Sequence, residues 1–390
     1  MSEYFPPALH HAANPEFCQR ALNLLPSWRE RAKTAQSNRR LTRDTFNELF
    51  IGSWLDLLSP HAPATQSSHW PTVVESSRIA ARACPSTGWI IALVGAHSCL
   101  VRRLPPTCQS QLYAGGLRQL FASASSSASS QLTYEPDGIR VNGRWRFSSG
   151  IEDATWLILN APCEKHPEAG HIPRFLVLIA AEDVKRFDSW DSCGMAATGS
   201  HDIEAFQLLV PHDRVFAMHE IVGRQPPKSG PDYIDQVPLV PFLSTSIIGP
   251  LLGCAEGAHE AFVATLNESL ASDSRVAEQV AHSAAQLQSA GLLYSSLISR
   301  LHDAGTHDRV LNALQLLDLR RDRAYLAMQC VKAVQRLVRW LGASSLSAGH
   351  PFQRHWYDIQ AIAAHRDLAW SDAMLASGEA ILRRSTPSQT

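Results

Sequence analysis

Four residues near the C-terminal end of the chain, Arg354, Asp358, Ala361 and His365, recur at spacings of four, three and four. On a helix this spacing predicts one face carrying a guanidinium, a carboxylate and an imidazole. An imidazole titrates near neutrality, so His365 is a candidate to hold or deliver a proton, or to deprotonate a phenol or an amine. The competing reading is a satisfied histidine inside a helix bundle. Two further stretches, Gly143-Arg144-Trp145-Arg146-Phe147-Ser148-Ser149-Gly150 and Asp188 to Ser200, each join a tryptophan to a Gly/Ser/Thr-rich turn. Such turns let backbone amides approach a planar, phosphate-bearing cofactor while the indole packs beside it. They also occur at ordinary β-hairpins, where a serine merely satisfies the turn backbone.

Other chemistries are poorly represented. The sequence has no Gly-x-x-x-x-Gly-Lys-Ser/Thr loop, no Gly-x-Ser-x-Gly elbow and no His-Glu-x-x-His helix. His10-His11 reads as a pair in a mobile N-terminal segment without a third ligand, and the seventeen histidines do not cluster at ligand spacing, so no metal centre is expected. A formal net charge of -1 with both signs scattered points to neither nucleic acid nor an anionic membrane.

The elements that must position these groups fall in three blocks. From about residue 14 to 113, Phe17, Ala21, Leu24 and Leu25, then Ile79, Ala83, Trp89, Leu93 and Leu100, recur at helical spacing, punctuated by Pro60, Pro63, Pro71, Pro85, Pro105 and Pro106. In the next block, Tyr134 to Gly138 is a turn signal, and Asn142-Gly143 predicts a hairpin between Ile139-Arg140-Val141 and Arg144 to Phe147. Strands are expected at 157–159, 175–179 and 206–210. Phe121 to Ser130, rich in serine, reads as a flexible loop. After a proline-rich connection (Pro226, Pro227, Pro231, Pro238, Pro241), Val276, Val280, Leu287, Tyr294, Leu297 and Leu301, then Leu317, Ala324, Val331, Val338 and Leu341, mark long amphipathic helices. The expected fold is α+β and multidomain: a helical domain over 1–114, a β domain over 115–225 and a bundle of about four helices over 226–390.

The eight cysteines lie far apart, with no Cys-x-x-Cys, as suits reduced thiols in a cytoplasm. The N-terminus lacks a basic region leading into an apolar run, and no stretch approaches eighteen uninterrupted apolar residues, so a soluble, unprocessed protein is expected. Charged residues make up 18% of the chain, against about a quarter in ordinary domains, which predicts surface hidden in a homodimer or homotetramer.

Over roughly residues 15 to 385 the block order and the two Trp-bearing turns resemble the acyl-CoA dehydrogenase architecture, and in particular its flavin-dependent monooxygenases. The segment Arg354 to His365 resembles their closing helix, Arg-x-x-Arg-Asp followed seven residues later by His. The second arginine is replaced here by Tyr357, which can only hydrogen-bond neutrally. The resemblance implies the oxygenase component of a two-component system: reduced FMN or FAD comes from a separate reductase, reacts with O2 through a C4a-hydroperoxide, and oxygenates a small aromatic, heteroaromatic or amine substrate. It gives His365 the catalytic position. It also places His97, the end of Ser86 to His97, near the substrate, with a buried polar residue as the other reading, whereas Trp89 reads as core packing. Ser148 and Ser149 fall beside the flavin ring, where a hydroxyl can bond to N5; Trp190 falls beside the ring, and Thr198 and Ser200 against the phosphate or ribityl chain. Arg275 either reaches the flavin phosphate, in its own or a neighbouring subunit, or is simply exposed. The serine-rich run stands where the family carries a flavin-facing turn with Gly and Pro. Rival readings are an acyl-CoA dehydrogenase, for which no glutamate stands in the setting of the catalytic base, and a flavin-fold protein that binds without turnover.

Overall fold

The computed structural model describes residues 9–63, 68–126, 130–163, 174–226, 232–347 and 349–385. Ser127 to Ser129 of the serine-rich run, Pro227 and Pro231 of the connection, and the residues before Leu9 lie outside them.

Helices fill the first block: α1 Pro15–Ser37, α2 Arg43–Ile51, α3 Trp70–Ala81, α4 Pro85–Trp89, α5 Ala96–Val101 and α6 Pro106–Leu112. Prolines open α1, α3, α4 and α6, where a missing N–H costs no hydrogen bond and the fixed φ favours the first turn. Between α4 and α5, Ile90–Gly95 winds as a π-helix, a rare form that is frequent at functional sites. His10 is not in a mobile segment. It is buried, its Nε2 lies 3.1 Å from Ser299 Oγ and 3.3 Å from Ser295 O, and its ring stacks on His11.

The strands form two sheets. One has the order β1 (Phe121–Ser123), β5 (Trp156–Pro162), β6 (Arg174–Ala180), β9 (Val215–Ala217), with β1 parallel to β5 and the rest antiparallel. The other runs β2 (Ser125–Ser126), β4 (Gly138–Ser148), β8 (His201–Val210), β7 (Lys185–Arg186), with β3 (Gln131–Glu135) also paired to β4. Successive residues point to opposite faces. Leu157, Leu159, Val177 and Ile179 therefore meet Trp145 and Ile203 between the sheets, while Ile158, Leu176 and Leu178 join the helical core on the other face.

Two strand-level expectations are corrected. Asn142-Gly143 is not a hairpin turn, since β4 runs straight through it and the turn lies at Pro136-Asp137. The pair forms a β-bulge against β8, where Gln207 N donates to Asn142 Oδ1 and Gly143 takes φ +147°; a Cβ there would lie 2.5 Å from Ser130 Cα. The hairpin and bulge readings use the same glycine and differ only in what lies across from it. The serine-rich run is likewise not a single loop, because its first half supplies β1 and β2.

After α7 (Met218–Val222) the last block contains α8 Leu239–Ser246, α9 Ile248–Thr265, α10 Glu268–Ala271, α11 Ser274–Thr306, α12 Ala313–Val338, α13 Pro351–Ala363 and α14 Trp370–Ser385. Val276, Leu287, Tyr294, Leu297 and Leu301 are buried along α11, as their spacing predicts. The stretch Leu239–Thr265 is long and apolar enough to cross a membrane, yet 78% of its most apolar window is buried inside the protein, against α3 and the bundle. α3, α9 and α11 are also joined by charge: Arg78 pairs with Glu256 at 2.5 Å and Glu75 at 3.2 Å, and Tyr294 donates to Glu75 at 2.7 Å. All eight cysteines are free thiols.

Candidate active site

A cavity of about 820 Å³, within the range of small-molecule sites, opens where the blocks meet. The helical wall presents Trp89, Leu93 and His97; the strands and their ends present Ser123, Ser149 and Ile158; the turn after β7 presents Trp190, Met195, Thr198 and Ser200; α8 presents Leu243, with Ile247 just after it; α13 presents Ala361, and the turn after it His365. Residues widely separated in sequence are thus brought together, among them His97, Ser149, Trp190, Thr198, Ser200 and His365.

Ser149 belongs to a chain of hydrogen bonds. Trp89 Nε1 donates to Ser149 Oγ at 3.2 Å, Ser149 Oγ lies 2.8 Å from Ser200 Oγ, and Ser200 Oγ lies 2.7 Å from Thr198 Oγ1. Thr198 in turn donates to Met195 O at 2.8 Å. Trp89, read from the sequence as core packing, is therefore part of the cavity wall, with its ring edge-on to His365 at 5.6 Å.

His97 is buried, and burial lowers its pKa to about 4, so the ring is neutral near pH 7. Nδ1 faces Phe121 O at 2.8 Å and must carry the proton; Nε2 then accepts from Ser123 Oγ at 3.0 Å. His365 does not sit on the helix face expected for it. α13 ends at Ala363, and His365 has extended backbone at the start of a 3₁₀ turn, Arg366–Leu368, where its Nδ1 accepts from Asp367 N at 3.3 Å. A capping bond to the following turn competed with continuation of the helix and won. With Nδ1 accepting, the neutral ring carries its proton on Nε2. Burial lowers the His365 pKa, Asp367 opposes that shift, and Arg366 and Arg323 reinforce it.

The turn after β7 is held from three sides. Arg39 donates to Trp190 O at 2.8 Å and Ser192 O at 3.3 Å and pairs with Asp191. His201 Nδ1 accepts from the backbone of Ser189 and Trp190, both at 3.2 Å. Asp358 on α13 accepts from Met195 N, and Gly194 lies so close to α13 that a Cβ there would be 2.2 Å from Tyr357 O. Arg39, in a distant helix-turn with φ +52°, carried no signal in the sequence. Neither did Ser123, hidden in a run of serines.

Known proteins resemble the chain at the scale of the whole fold. The family described as "Acyl-CoA dehydrogenase, C-terminal domain" matches residues 246–370. The chain is 26% identical over 360 residues to the flavin-dependent monooxygenase oxygenase subunit HsaA of Rhodococcus jostii (strain RHA1), covering 89% of this chain and 93% of that protein. It is 25% identical over 383 residues to the oxygenase component of an FADH(2)-dependent resorcinol hydroxylase of Rhizobium sp. (strain MTP-10005), covering 91% of each. The crystal structure of 3-HSA hydroxylase from Rhodococcus sp. RHA1 superposes with a TM-score of 0.83 at 24% identity, over 96% of this chain and 98% of that one. The chain thus shares the fold of these solved proteins, and over about nine-tenths of its length it is similar to flavin-dependent monooxygenase oxygenase components.

The cavity carries groups that suit a flavin. Two indoles, Trp89 and Trp190, flank it. Ser149 Oγ faces it with one lone pair unused, and the adjacent Ser148 Oγ is fully buried without a hydrogen-bond partner. These features fit a flat heteroaromatic ring with polar edges. Two expected contacts lie elsewhere: Ser148 is not in the cavity wall, and Arg275, three-quarters exposed at the start of α11, pairs with Asp273 at 2.7 Å and stacks over Trp340.

Proposed function

We propose that this protein is the oxygenase component of a two-component flavin-dependent monooxygenase, acting with O2 on a small aromatic, heteroaromatic or amine substrate. The observation that carries this reading is the convergence of His365, His97 and Ser149, from three distant elements, on one cavity between two indoles. Reduced FMN or FAD, when bound, supplies the electrons that let one oxygen atom enter the substrate while the other leaves as water. A separate reductase delivers it, since the chain has no Gly-x-Gly-x-x-Gly nicotinamide turn. The resorcinol hydroxylase relative is FADH(2)-dependent by name, which supports a reduced flavin.

The chain's own groups divide the work. Ser149 and Trp190 orient the flavin ring, and the 194–200 turn, with Thr198 and Ser200, faces its polar periphery. Ser148 is held next to them, with its buried hydroxyl available. His365 takes up a proton at Nδ1, beside Asp367, whose carboxylate lies 3.8 Å away, and releases the one on Nε2, so the ring passes through the imidazolium and returns to neutral. His97 and Ser123 form a neutral pair that orients a substrate hydroxyl or N–H. Leu93, Leu243 and Ile247 keep water from the reacting region. Arg275 serves a flavin phosphate in a neighbouring subunit of a cytoplasmic homodimer or homotetramer. The chain divides into domains at 1–114, 115–225 and 226–390.

An acyl-CoA dehydrogenase would need a carboxylate base; among the described residues no glutamate lines the cavity, and its one carboxylate, Asp367, lies beside His365. The test is anaerobic titration with reduced FMN and FAD, followed by mixing with O2 and a panel of phenols, indoles and amines. Oxygenated product and reduced-flavin binding are expected. Bleaching of oxidised, flavin-loaded protein by acyl-CoA, with no product from the panel, would overturn the reading.

A further inference from the structure

The hydrogen-bond chain in the cavity wall has only one arrangement of protons. One end is the Trp89 indole N–H, which can only donate, and the other is the Met195 carbonyl, which can only accept. Between them stand Ser149, Ser200 and Thr198, each with one proton and two lone pairs. Four bonds are made and four protons are available. Thr198 gives its proton to Met195 O, so Ser200 must donate to Thr198, and Ser149 must donate to Ser200. Reversing any hydroxyl sacrifices a bond in a buried site, where polar groups are costly to leave unpaired. Ser149, Thr198 and Ser200 are all buried.

The consequence falls on Ser149. Its proton is committed to Ser200 and one lone pair to Trp89, which leaves one lone pair and no proton for anything in the cavity. Reduced flavin has an N–H at N5, whereas oxidised flavin has only a lone pair there. We infer that the relay Trp89–Ser149–Ser200–Thr198–Met195 makes Ser149 an acceptor only, and that this fixed polarity selects reduced over oxidised flavin. Thr198 and Ser200 are positioning residues in this scheme: they act on the cofactor through Ser149. The inference rests on the reading of this cavity as a flavin site and goes beyond it by assigning the redox preference to named hydroxyls.

The test compares the dissociation constants of reduced and oxidised FMN and FAD, measured anaerobically and in air, for the wild type and four variants. Thr198→Val keeps the side-chain shape but removes the acceptor at the end of the relay, so Ser200 can turn round and Ser149 regains a proton. Ser200→Ala has the same effect by a different break. Both should reduce the preference for reduced flavin by about tenfold or more, chiefly through tighter binding of the oxidised form. Trp89→Phe removes the donor at the opposite end, leaves the Ser149 proton committed to Ser200, and should keep the preference even if both forms bind more weakly. Ser149→Ala should weaken the reduced form most. If Thr198→Val and Ser200→Ala, with wild-type melting temperatures, retain the wild-type ratio, the relay does not set the preference. If Trp89→Phe abolishes the preference, the direction assigned here is wrong. Failure of the wild type to bind either flavin would instead remove the flavin reading itself, and this inference with it.

Discussion

Asp358 accepts the backbone N–H of Met195, tying α13 to the turn that carries Thr198 and Ser200. The contact spans 163 residues of sequence and links the segment leading to His365 with the turn facing it. Burial raises the Asp358 pKa to about 7, against the pull of Met195 N–H and Arg354. A carboxyl whose folded pKa lies above its unfolded value of about 3.9 contributes stability that is present at low pH and is lost as pH rises through about 7. Asp358→Asn keeps an acceptor for Met195 and carries no charge at any pH. It should melt close to wild type at about pH 4 and above it at about pH 8. Asp358→Ala should cost about 1–3 kcal/mol by leaving a buried N–H unpaired. Equal melting of the Asn variant and wild type at both pH values would contradict the assignment.

Gly194→Ala tests the other half of the same junction. The added Cβ would lie 2.2 Å from Tyr357 O and 2.7 Å from its carbonyl carbon, both backbone atoms that cannot swing aside. The turn or α13 must shift, at a cost of about 1–3 kcal/mol. Reduced-flavin affinity should fall together with the melting temperature. A variant that loses neither would show that the two elements tolerate separation.

His365→Asn is the informative variant at the proposed proton donor, since asparagine can still cap Asp367 N at the start of the turn. Folding and reduced-flavin binding should survive. Product formation should fall by about 10²-fold or more, with the reduced flavin consumed as hydrogen peroxide instead. His97→Ala should give milder uncoupling. Wild-type coupling between oxygen and product in His365→Asn would sink the proposed role, though not the fold.

Acid should destabilise the protein through its buried histidines. Burial lowers His97 and His259 to about 4. Such a ring must be neutral in the fold and is protonated once unfolded, so its contribution is complete above about pH 6.5 and declines as pH falls toward about 4. The loss is about 1.4 kcal/mol for each unit separating folded from unfolded pKa. Urea midpoints should drop across this window, and His259→Gln should flatten the drop. A midpoint independent of pH there would mean that these rings are already charged in the fold. The Asp358 effect has the opposite sign, and the two single variants separate them.

Much of the fold was legible because it is written in local terms. Prolines open helices where their missing N–H is harmless, and apolar residues at threes, fours and sevens marked the face of α11 that is buried. The site was legible in part. His365 was found through its companions Arg354 and Asp358, but the spacing that drew attention to it wrongly extended the helix through it. Asn142-Gly143 misled because a glycine needed for a bulge looks identical to one needed for a turn until the facing strand is known. The relay could not be read at all: Trp89 meets Ser149 across 60 residues and Ser149 meets Ser200 across 51, and nothing in either neighbourhood announces the other.

The π-helical segment Ile90–Gly95 sets the rotational phase of α5. Along an uninterrupted α-helix, Trp89 and His97 would point about 80° apart. The wider turns between them unwind that difference, and both side chains reach the same cavity. Straightening the segment to an α-helix at its full length would turn α5 by about 80°, carrying the His97 ring away from Phe121 O and Ser123 Oγ, whereas deleting one residue as well would leave the two positions about 20° from the same side. Neither change alters a side chain named here. The placement of His97 is therefore stored as a count of residues rather than as an identity at any position, a kind of information that comparison of residue types passes over.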